Sequence, residues 1–383
     1  MKLKMGMIGG GHGSFIGPVH RMAAGLDGMI ELVSGAFSSK PDVSLKSGIT
    51  LGLPESRIYS DWEIMLETES RLAEADRPDL ICIVTPNYLH YGPVIKSIEA
   101  GFNVICDKPL SISVKEALDI KQALLKTGLS FCITHNYSGY PMVKKARELV
   151  SSGKLGTVRK VVSEYLQGWL SDKEEEKGNR QAEWRADPAK AGNAGCMADI
   201  GTHAFQLTEY ITGKKITRLY AQLNRFVEGR LLDDDGNVII NMEDNIKGII
   251  TASQVALGEE NNIKIRIYGT KGSVSWEQMR PNSLLVRWKD RPFETYRTAT
   301  GFAATGGPAD AHSRLPAGHP EGFIEAFANL YRNFALEISA RKEGRTKDPS
   351  YDFPGIEDGV RGMKFLDAVI KSSAQESWVS IAD

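Results

Sequence analysis

Residues 5–17 read MGMIGGGHGSFIG. An apolar run ends abruptly in glycines, then a short polar step leads into a segment able to start a helix. Glycines at that point let the main chain turn tightly and approach a diphosphate, whose charge the positive end of the following helix stabilises. The spacing departs from G-x-G-x-x-G: counted from Gly9 the sixth position is Ser14, counted from Gly11 it is Ile16, and Gly17 arrives three residues late. A plain turn remains an alternative, but the place between a first strand and a first helix favours a dinucleotide turn. Gly9 and Gly11, with Phe15 and Ile16 where the helix opens, are its candidate contacts.

The chain continues in the same style as far as residue 136. Apolar runs at 30–37, 79–86, 103–109 and 129–136 alternate with helical stretches, among them 88–100 and 114–126, which stop at Gly101 and Gly128 as helices capped by glycine do. Continuous apolar strands separated by helices predict a parallel sheet covered on both faces, a doubly wound α/β domain over 1–136. Beyond residue 140 the period changes. Longer alternating runs at 158–169, 216–227, 245–257, 262–278 and 283–290, with turn signals at 233–236 and 269–272, predict a large, mostly antiparallel open sheet in a second, α+β domain over 137–383. Helical tails at 321–341 and 356–372, the latter expected to pack back on the first domain, precede a short strand at 378–381. The charged stretch 171–183 reads as a solvated loop or helix face. The Gly-, Ala- and Pro-rich stretch 298–322 reads as a lid or binding loop, or as disorder.

Composition narrows the partner. Of 383 residues, 42% are apolar, and 47 Lys and Arg nearly balance 48 Asp and Glu, so no global field exists to hold nucleic acid or an anionic membrane. No apolar run is long enough for a signal peptide or a membrane span, which predicts a cytoplasmic protein with a small-molecule partner. Cys82, Cys106, Cys132 and Cys196 are widely spaced, as suits reduced, buried thiols.

In a parallel sheet, ligands sit outside the carboxyl ends of the strands. The second strand ends in Ser38-Ser39-Lys40, hydroxyls and a cation where NAD sites usually place an acid. That pattern leaves NAD or NADP open and leans to NADP, with Asp42 able to change the balance. The strand ends Thr85-Pro86-Asn87 and Asp107-Lys108-Pro109 should face one crevice. Proline disfavours helical geometry in the residue before it, so Lys108 leaves its strand extended. There a lysine can hydrogen-bond a substrate hydroxyl, while Asp107 touches a ribose or offsets the charge. In the second domain, Asp199 and His203 fall on one face if a helix starts near Asp199, which lets the carboxylate orient an imidazole suited to taking an alcohol proton. A zinc half-site and a simple helix cap are the competing readings of that pair.

The combination of GMIGGGHGSFIGPVH, VTPNYLHYGPVIKSIEAGFNVICDKPLS, EWRADPAKAGNAGCMADIGTHA and DGVRGMKFLDAVIKSSAQ resembles the glucose-fructose oxidoreductase, inositol dehydrogenase and MocA family over nearly the whole chain. The resemblance implies a Rossmann domain, an open-sheet domain that assembles homodimers or homotetramers, and NAD(P)-linked redox chemistry on sugars, glycosides or cyclitols. It places the catalytic lysine on Lys108 and the D-x-x-x-H pair on Asp199 and His203. It sets Thr85, Asn87 and His90 near the nicotinamide and Trp184 and Arg185 along the cleft. The family commonly has Glu-Lys-Pro where this chain has Asp107-Lys108-Pro109. Tyr137, Tyr140 and His319 are further candidates for the sugar pocket. In the expected mechanism His203, oriented by Asp199, removes the hydroxyl proton, Lys108 binds the same oxygen, and hydride goes to nicotinamide C4. A glycoside hydrolase that oxidises its sugar transiently, or a non-catalytic dinucleotide sensor, would share much of this sequence.

Overall fold

The computed structural model describes residues 2–300, 307–346 and 348–381, with the side chain of Arg180 left out. The chain forms two compact units, one of 1–136 with 323–360 and one of 137–322 with 361–383. The first unit therefore differs from a simple cut after residue 136, because a later segment returns to it.

The first unit is built on five parallel strands in the order β2-β1-β3-β4-β5: β1 Leu3–Gly9, β2 Ile30–Ala36, β3 Leu80–Val84, β4 Asn103–Cys106 and β5 Phe131–Ile133. Every residue of β3 is buried, as a central strand covered on both faces requires. Helices α1 Ile16–Leu26, α2 Pro41–Thr50, α3 Trp62–Ser70, α4 Tyr91–Glu99 and α5 Val114–Leu125 connect the strands. Their starts are set locally: Asp61 accepts hydrogen bonds from Glu63 N and Ile64 N at α3, and Ser113 accepts one from Glu116 N at α5. The sheet's carboxyl ends share one edge, so Gly9, Thr85 and Asp107 lie along it.

The second unit opens with α6 Pro141–Ser151 and β6 Val158–Leu166. The short helices α7 Arg180–Arg185 and α8 Pro188–Ala191 follow, then a π turn Met197–Gly201 that runs into α9 Thr202–Thr212. Seven further strands complete its main run: β7 Ile216–Asn224, β8 Asp235–Met242, β9 Lys247–Ser253, β10 Asn262–Gly269, β11 Gly272–Glu277, β12 Ser283–Trp288 and β13 Glu294–Arg297. Helix α10, Phe323–Lys342, belongs to the first unit, where Phe327, Tyr331 and Phe334 join Val19 and Ala23 of α1 in one core. Helix α11, Ile356–Gln375, begins in the first unit and ends in the second, before β14 Val379–Ser380.

The second unit's sheet has nine strands in the order β13-β12-β11-β10-β6-β9-β8-β7-β14, antiparallel throughout except for the parallel pair β6 and β9. Alternate residues of β8 and β9 are buried, the mark of a sheet with one covered face. The fold class expected from the alternating runs is the one observed. The expected turn at 269–272 joins β10 to β11, whereas the one at 233–236 gives way early, β8 starting at Asp235. The stretch 171–183 contains a short turn at Glu174–Glu176, and Arg230 binds both carboxylate oxygens of Glu175, so this charged run is pinned to its unit. Of the expected lid, 298–322, residues 301–306 lie outside those described. Among the described residues no helix is long and apolar enough to cross a membrane.

Candidate active site

The glycine turn is shaped by contact distances. Gly9 and Gly10 have φ of 84° and 73°, in the left-handed region that disfavours side chains. A Cβ on Gly17 would lie 2.3 Å from the Gly10 carbonyl oxygen, so the late glycine is where α1 closes on the turn. Gly10 O accepts a hydrogen bond from Arg21 Nη1 at 2.7 Å, and Gly11 N donates to Phe37 O at 3.1 Å, which ties the turn to the end of β2. Phe15, two-thirds exposed, stands at the N-cap of α1 without a side-chain cap, and the first turn has no acid. Ile16 is half-buried against the core. The cradle and the uncapped helix end fit an anionic diphosphate. Past β2, Ser38 Oγ accepts from Lys40 N at 3.1 Å, Ser39 and Lys40 are exposed, and Asp42 is exposed on the first turn of α2.

At the neighbouring strand ends the polar groups are mostly engaged within the unit. A Cβ on Gly9 would meet Thr85 Cγ2 at 3.1 Å, so these two ends touch, and Thr85 Oγ1 donates to Leu89 O at 3.1 Å. Asn87 is buried in the turn that follows. His90, expected near a nicotinamide, is fully buried with Nδ1 2.8 Å from Pro109 O and Nε2 2.8 Å from Thr85 O. Burial lowers its pKa despite those carbonyls and the nearby Asp107. It is a strut between the two loops.

Asp107 was expected to touch a ribose or to offset charge, and its contacts lie within its own unit. Its Oδ1 accepts from Lys108 N at 3.0 Å and from Thr134 Oγ1 at 2.7 Å, and lies 3.8 Å from Nε2 of the buried His20. Burial alone would raise this carboxyl's pKa, but His20, Lys108 and Thr134 outweigh it and hold the pKa below the usual range. The carboxylate is turned toward its own unit, where it offsets the charge of its neighbours. Lys108 follows, half-buried, joined to Pro109 by a cis peptide bond. His135, buried just after β5, is pushed down to about 3, first by burial and then by the charge of Lys108.

In the second unit, Asp199 sits in the π turn and His203 in the first turn of α9. The π turn replaces the regular helix start assumed for the pair, and such turns recur at functional sites. Asp199 Oδ2 accepts from Arg185 Nε at 3.0 Å and from Gln254 Nε2 at 2.9 Å. The Arg185 guanidinium also lies 4.2 Å above the Trp184 ring and bonds Gln181, so four residues form one clasp around the carboxylate. The entry to the π turn is fixed by buried Asp233, which accepts from Gly195 N at 2.6 Å and Met197 N at 2.8 Å. His203 is buried and packs edge-on to Tyr137, centroids 4.8 Å apart, and 6.0 Å from Tyr165. Tyr137 Oη lies 2.5 Å from Tyr165 Oη, which donates to Asn261 Oδ1 at 2.7 Å. Burial raises the pKa of both phenols, so both stay protonated near neutrality. Tyr140 stacks on Tyr137 and tilts against Trp276, a packing role. His319 is exposed in its loop beside Pro316 O, while the buried histidine of that stretch is His312.

Residues 3–135 match the oxidoreductase family with an NAD-binding Rossmann fold, and residues 143–275 match the GFO/IDH/MocA C-terminal domain. Over 98% of the chain, and 96% of the relative, it is 32% identical to the uncharacterized oxidoreductase YfiI of Bacillus subtilis. The chain belongs to the GFO/IDH/MocA oxidoreductase family. A levoglucosan dehydrogenase of Pseudarthrobacter phenanthrenivorans is 26% identical over 99% of the chain and 98% of that protein. An inositol dehydrogenase homolog from Azotobacter vinelandii, solved with NAD+, superposes with a TM-score of 0.94 at 31% identity, covering 99% of this chain and 97% of that one. The same homolog is also known with NADH and myo-inositol.

As a GFO/IDH/MocA protein the chain is an NAD-binding oxidoreductase. Each unit's candidate cluster includes residues that sequence reasoning passed over: His20, Thr134 and Tyr331 around Asp107 in the first, and Tyr165, Gln254 and Asn261 in the second. Tyr165 and Gln254 sit on or just after strands, where alternation alone shows a polar residue on the covered face. Tyr331 lies more than two hundred residues from its partner His20, and helical periodicity marks it only as core.

Proposed function

We propose that the protein transfers hydride between a nicotinamide dinucleotide and a secondary hydroxyl of a sugar, glycoside or cyclitol. The observation that carries the reading is the inward-turned Asp107. It anchors the Lys108 main chain at the sheet edge shared with the glycine turn, so the cation leaves β4 from a fixed base. Lys108 hydrogen-bonds the reacting oxygen and favours its alkoxide character, while His203 takes or returns the hydroxyl proton. Asp199 orients this end of the site and, through Arg185 and Gln254, presents donors suited to the remaining hydroxyls of a polyol. Trp184 and Tyr137 supply apolar faces for a ring. When bound, the dinucleotide supplies the hydride acceptor at C4 of its nicotinamide. The names of the levoglucosan and inositol relatives support the substrate class.

The end of β2 supports NADP beside NAD, with a lean to NADP, since Ser38, Ser39 and Lys40 put hydroxyls and a cation where an acid would repel a 2′-phosphate. Against that lean stands the NAD+ of the Azotobacter homolog. Four buried free thiols support a cytoplasmic setting. The exposed pair Ile239 and Ile249, opposite each other on β8 and β9, supports a homodimer or homotetramer formed through the sheet.

The test is an absorbance screen of inositols, sugars and 1,6-anhydrosugars with NAD and NADP, followed by Lys108→Met and His203→Ala on the best substrate. Both variants should bind NADH normally and lose turnover by about two to four orders of magnitude. Near-normal turnover in either removes that residue from the chemistry. Glycoside cleavage without net cofactor reduction would instead favour a hydrolase.

A further inference from the structure

Next to the glycine turn, a buried polar group stands unused by the chemistry above. His20, on α1, is fully buried among Phe327 and Tyr331 of α10. Its Nδ1 lies 2.6 Å from Tyr331 Oη and 3.5 Å from Cys82 Sγ. Its Nε2 has no hydrogen-bond partner among the described residues and lies 3.8 Å from Asp107 Oδ1, the atom that also receives Lys108 N and Thr134 Oγ1. An orphaned buried ring nitrogen costs stability unless charge compensates it. Among the described residues, the carboxylate paired with it is that of Asp107.

We propose that His20 is a positioning residue for Lys108: held on one side by Tyr331, it fixes the Asp107 carboxylate with the other, and Asp107 fixes the main chain from which the lysine projects. Several titratable groups face or adjoin His20 among the described residues. They are Asp107 after β4, Cys82 on β3 and Tyr331 on α10, with Arg21 next to it on α1; Lys108 acts on Asp107, and Cys132 of β5 on Tyr331. Burial would lower the imidazole pKa, yet Cys82 and Asp107 reverse that and raise it to about 9, so the imidazole and carboxylate form a charged pair at neutral pH. The inference rests on Lys108 belonging to the hydride-transfer site.

Two substitutions separate the two sides of the ring. In His20→Gln the amide nitrogen can occupy the Nε2 position and still face Asp107 Oδ1 with a donor. In His20→Asn it reaches only the Nδ1 position, toward Tyr331. With the best substrate of the screen, Gln should keep kcat within about fivefold of wild type. Asn should lose at least tenfold in kcat, with substrate KM and NADH dissociation constant changed less than threefold. A purely structural histidine would let both variants fail together or would raise KM with kcat, and either result overturns the proposal. A second measurement needs no substrate. The 15N-imidazole signal of His20, assigned by its loss in His20→Gln, should titrate above pH 8 in the cofactor-free protein and at least one unit lower in Asp107→Asn. Titration near the ordinary histidine value, or an unmoved Asp107→Asn curve, also overturns it. If no polyol is oxidised while this titration behaves as expected, the His20–Asp107 contact stands and the functional reading fails.

Discussion

Gly17→Ala tests the fit of the glycine turn most directly. Its added Cβ would sit 2.3 Å from Gly10 O, 2.5 Å from Gly10 Cα and 2.7 Å from Gly10 C, all main-chain atoms. Ordinary carbon–oxygen contact begins at about 3.3 Å, so the turn and α1 must separate by roughly 1 Å. Because Gly10 is itself held at φ 73°, the turn has little freedom to follow. Overpacking of this kind costs about 1–3 kcal/mol, and a backbone obstacle belongs at the upper end. At ~2–4 °C per kcal/mol for a unit of this size, Tm should fall by about 6–12 °C. The same separation moves the amide groups around the cradle, and losing even two charge-assisted hydrogen bonds of about 1.5 kcal/mol each weakens NADH binding roughly 100-fold. Gly25→Ala on the same helix is the control, since its Cβ would meet nothing within 4 Å. Helix propensity there favours alanine by up to ~1 kcal/mol, so Tm should hold or rise. Thermal melts and NADH fluorescence titrations read both. A Gly17→Ala protein with wild-type Tm and affinity, or equal damage from both variants, would refute the close-packing argument.

Introducing an acid at the end of β2 by Ser38→Asp should lower kcat/KM for NADP relative to NAD at least tenfold, measured with one substrate and both cofactors; an unchanged ratio would mean that the 2′-phosphate is read elsewhere. Stability should also depend on pH through the His20–Asp107 pair. The folded pKa of His20 lies above its unfolded value of 6.5, so its contribution is complete below 6.5 and is lost as pH rises through about 9. A shift from 6.5 to about 9 corresponds to on the order of 3 kcal/mol, shared with its partner. Asp107 works in the opposite direction, its contribution being lost as pH falls through its depressed folded pKa. Urea midpoints between pH 6 and 10 should drop for wild type and flatten in His20→Gln; parallel curves would count against the charged pair.

The doubly wound sheet and the open antiparallel sheet were legible because each rests on a local period, continuous apolar runs in one and alternation in the other. The positions of Lys108, Asp199 and His203 in the fold were legible because they follow local punctuation, a strand exit before a proline and a run of small residues before a helix; their roles are a proposal. Contacts that join distant segments were not. The glycine count could not show that Gly17 does its work against Gly10, because spacing describes sequence and the contact is spatial. Asp199 looked like a helix start, but Asp233, far along the chain, holds Gly195 and Met197 so that a π turn forms instead. His90 carried the signature of a site residue, yet two main-chain carbonyls use both its nitrogens.

The aspartate at position 107 joins these observations. A carboxylate that reached out of the strand toward a ribose would favour the longer arm of glutamate. Here the carboxylate turns back, and the short arm of Asp107 reaches its own Lys108 N, Thr134 Oγ1 on the next strand's exit and the edge of His20. A side chain longer by one methylene would have to fold to make the first of these bonds, since the donor is the adjacent amide. The acid in this chain therefore serves the direction of the lysine, and cofactor affinity is left to the glycine turn and the end of β2. On that division of labour, Asp107→Asn should spare NADH binding while lowering kcat, and Ser38→Asp should spare kcat with NAD while weakening NADPH binding.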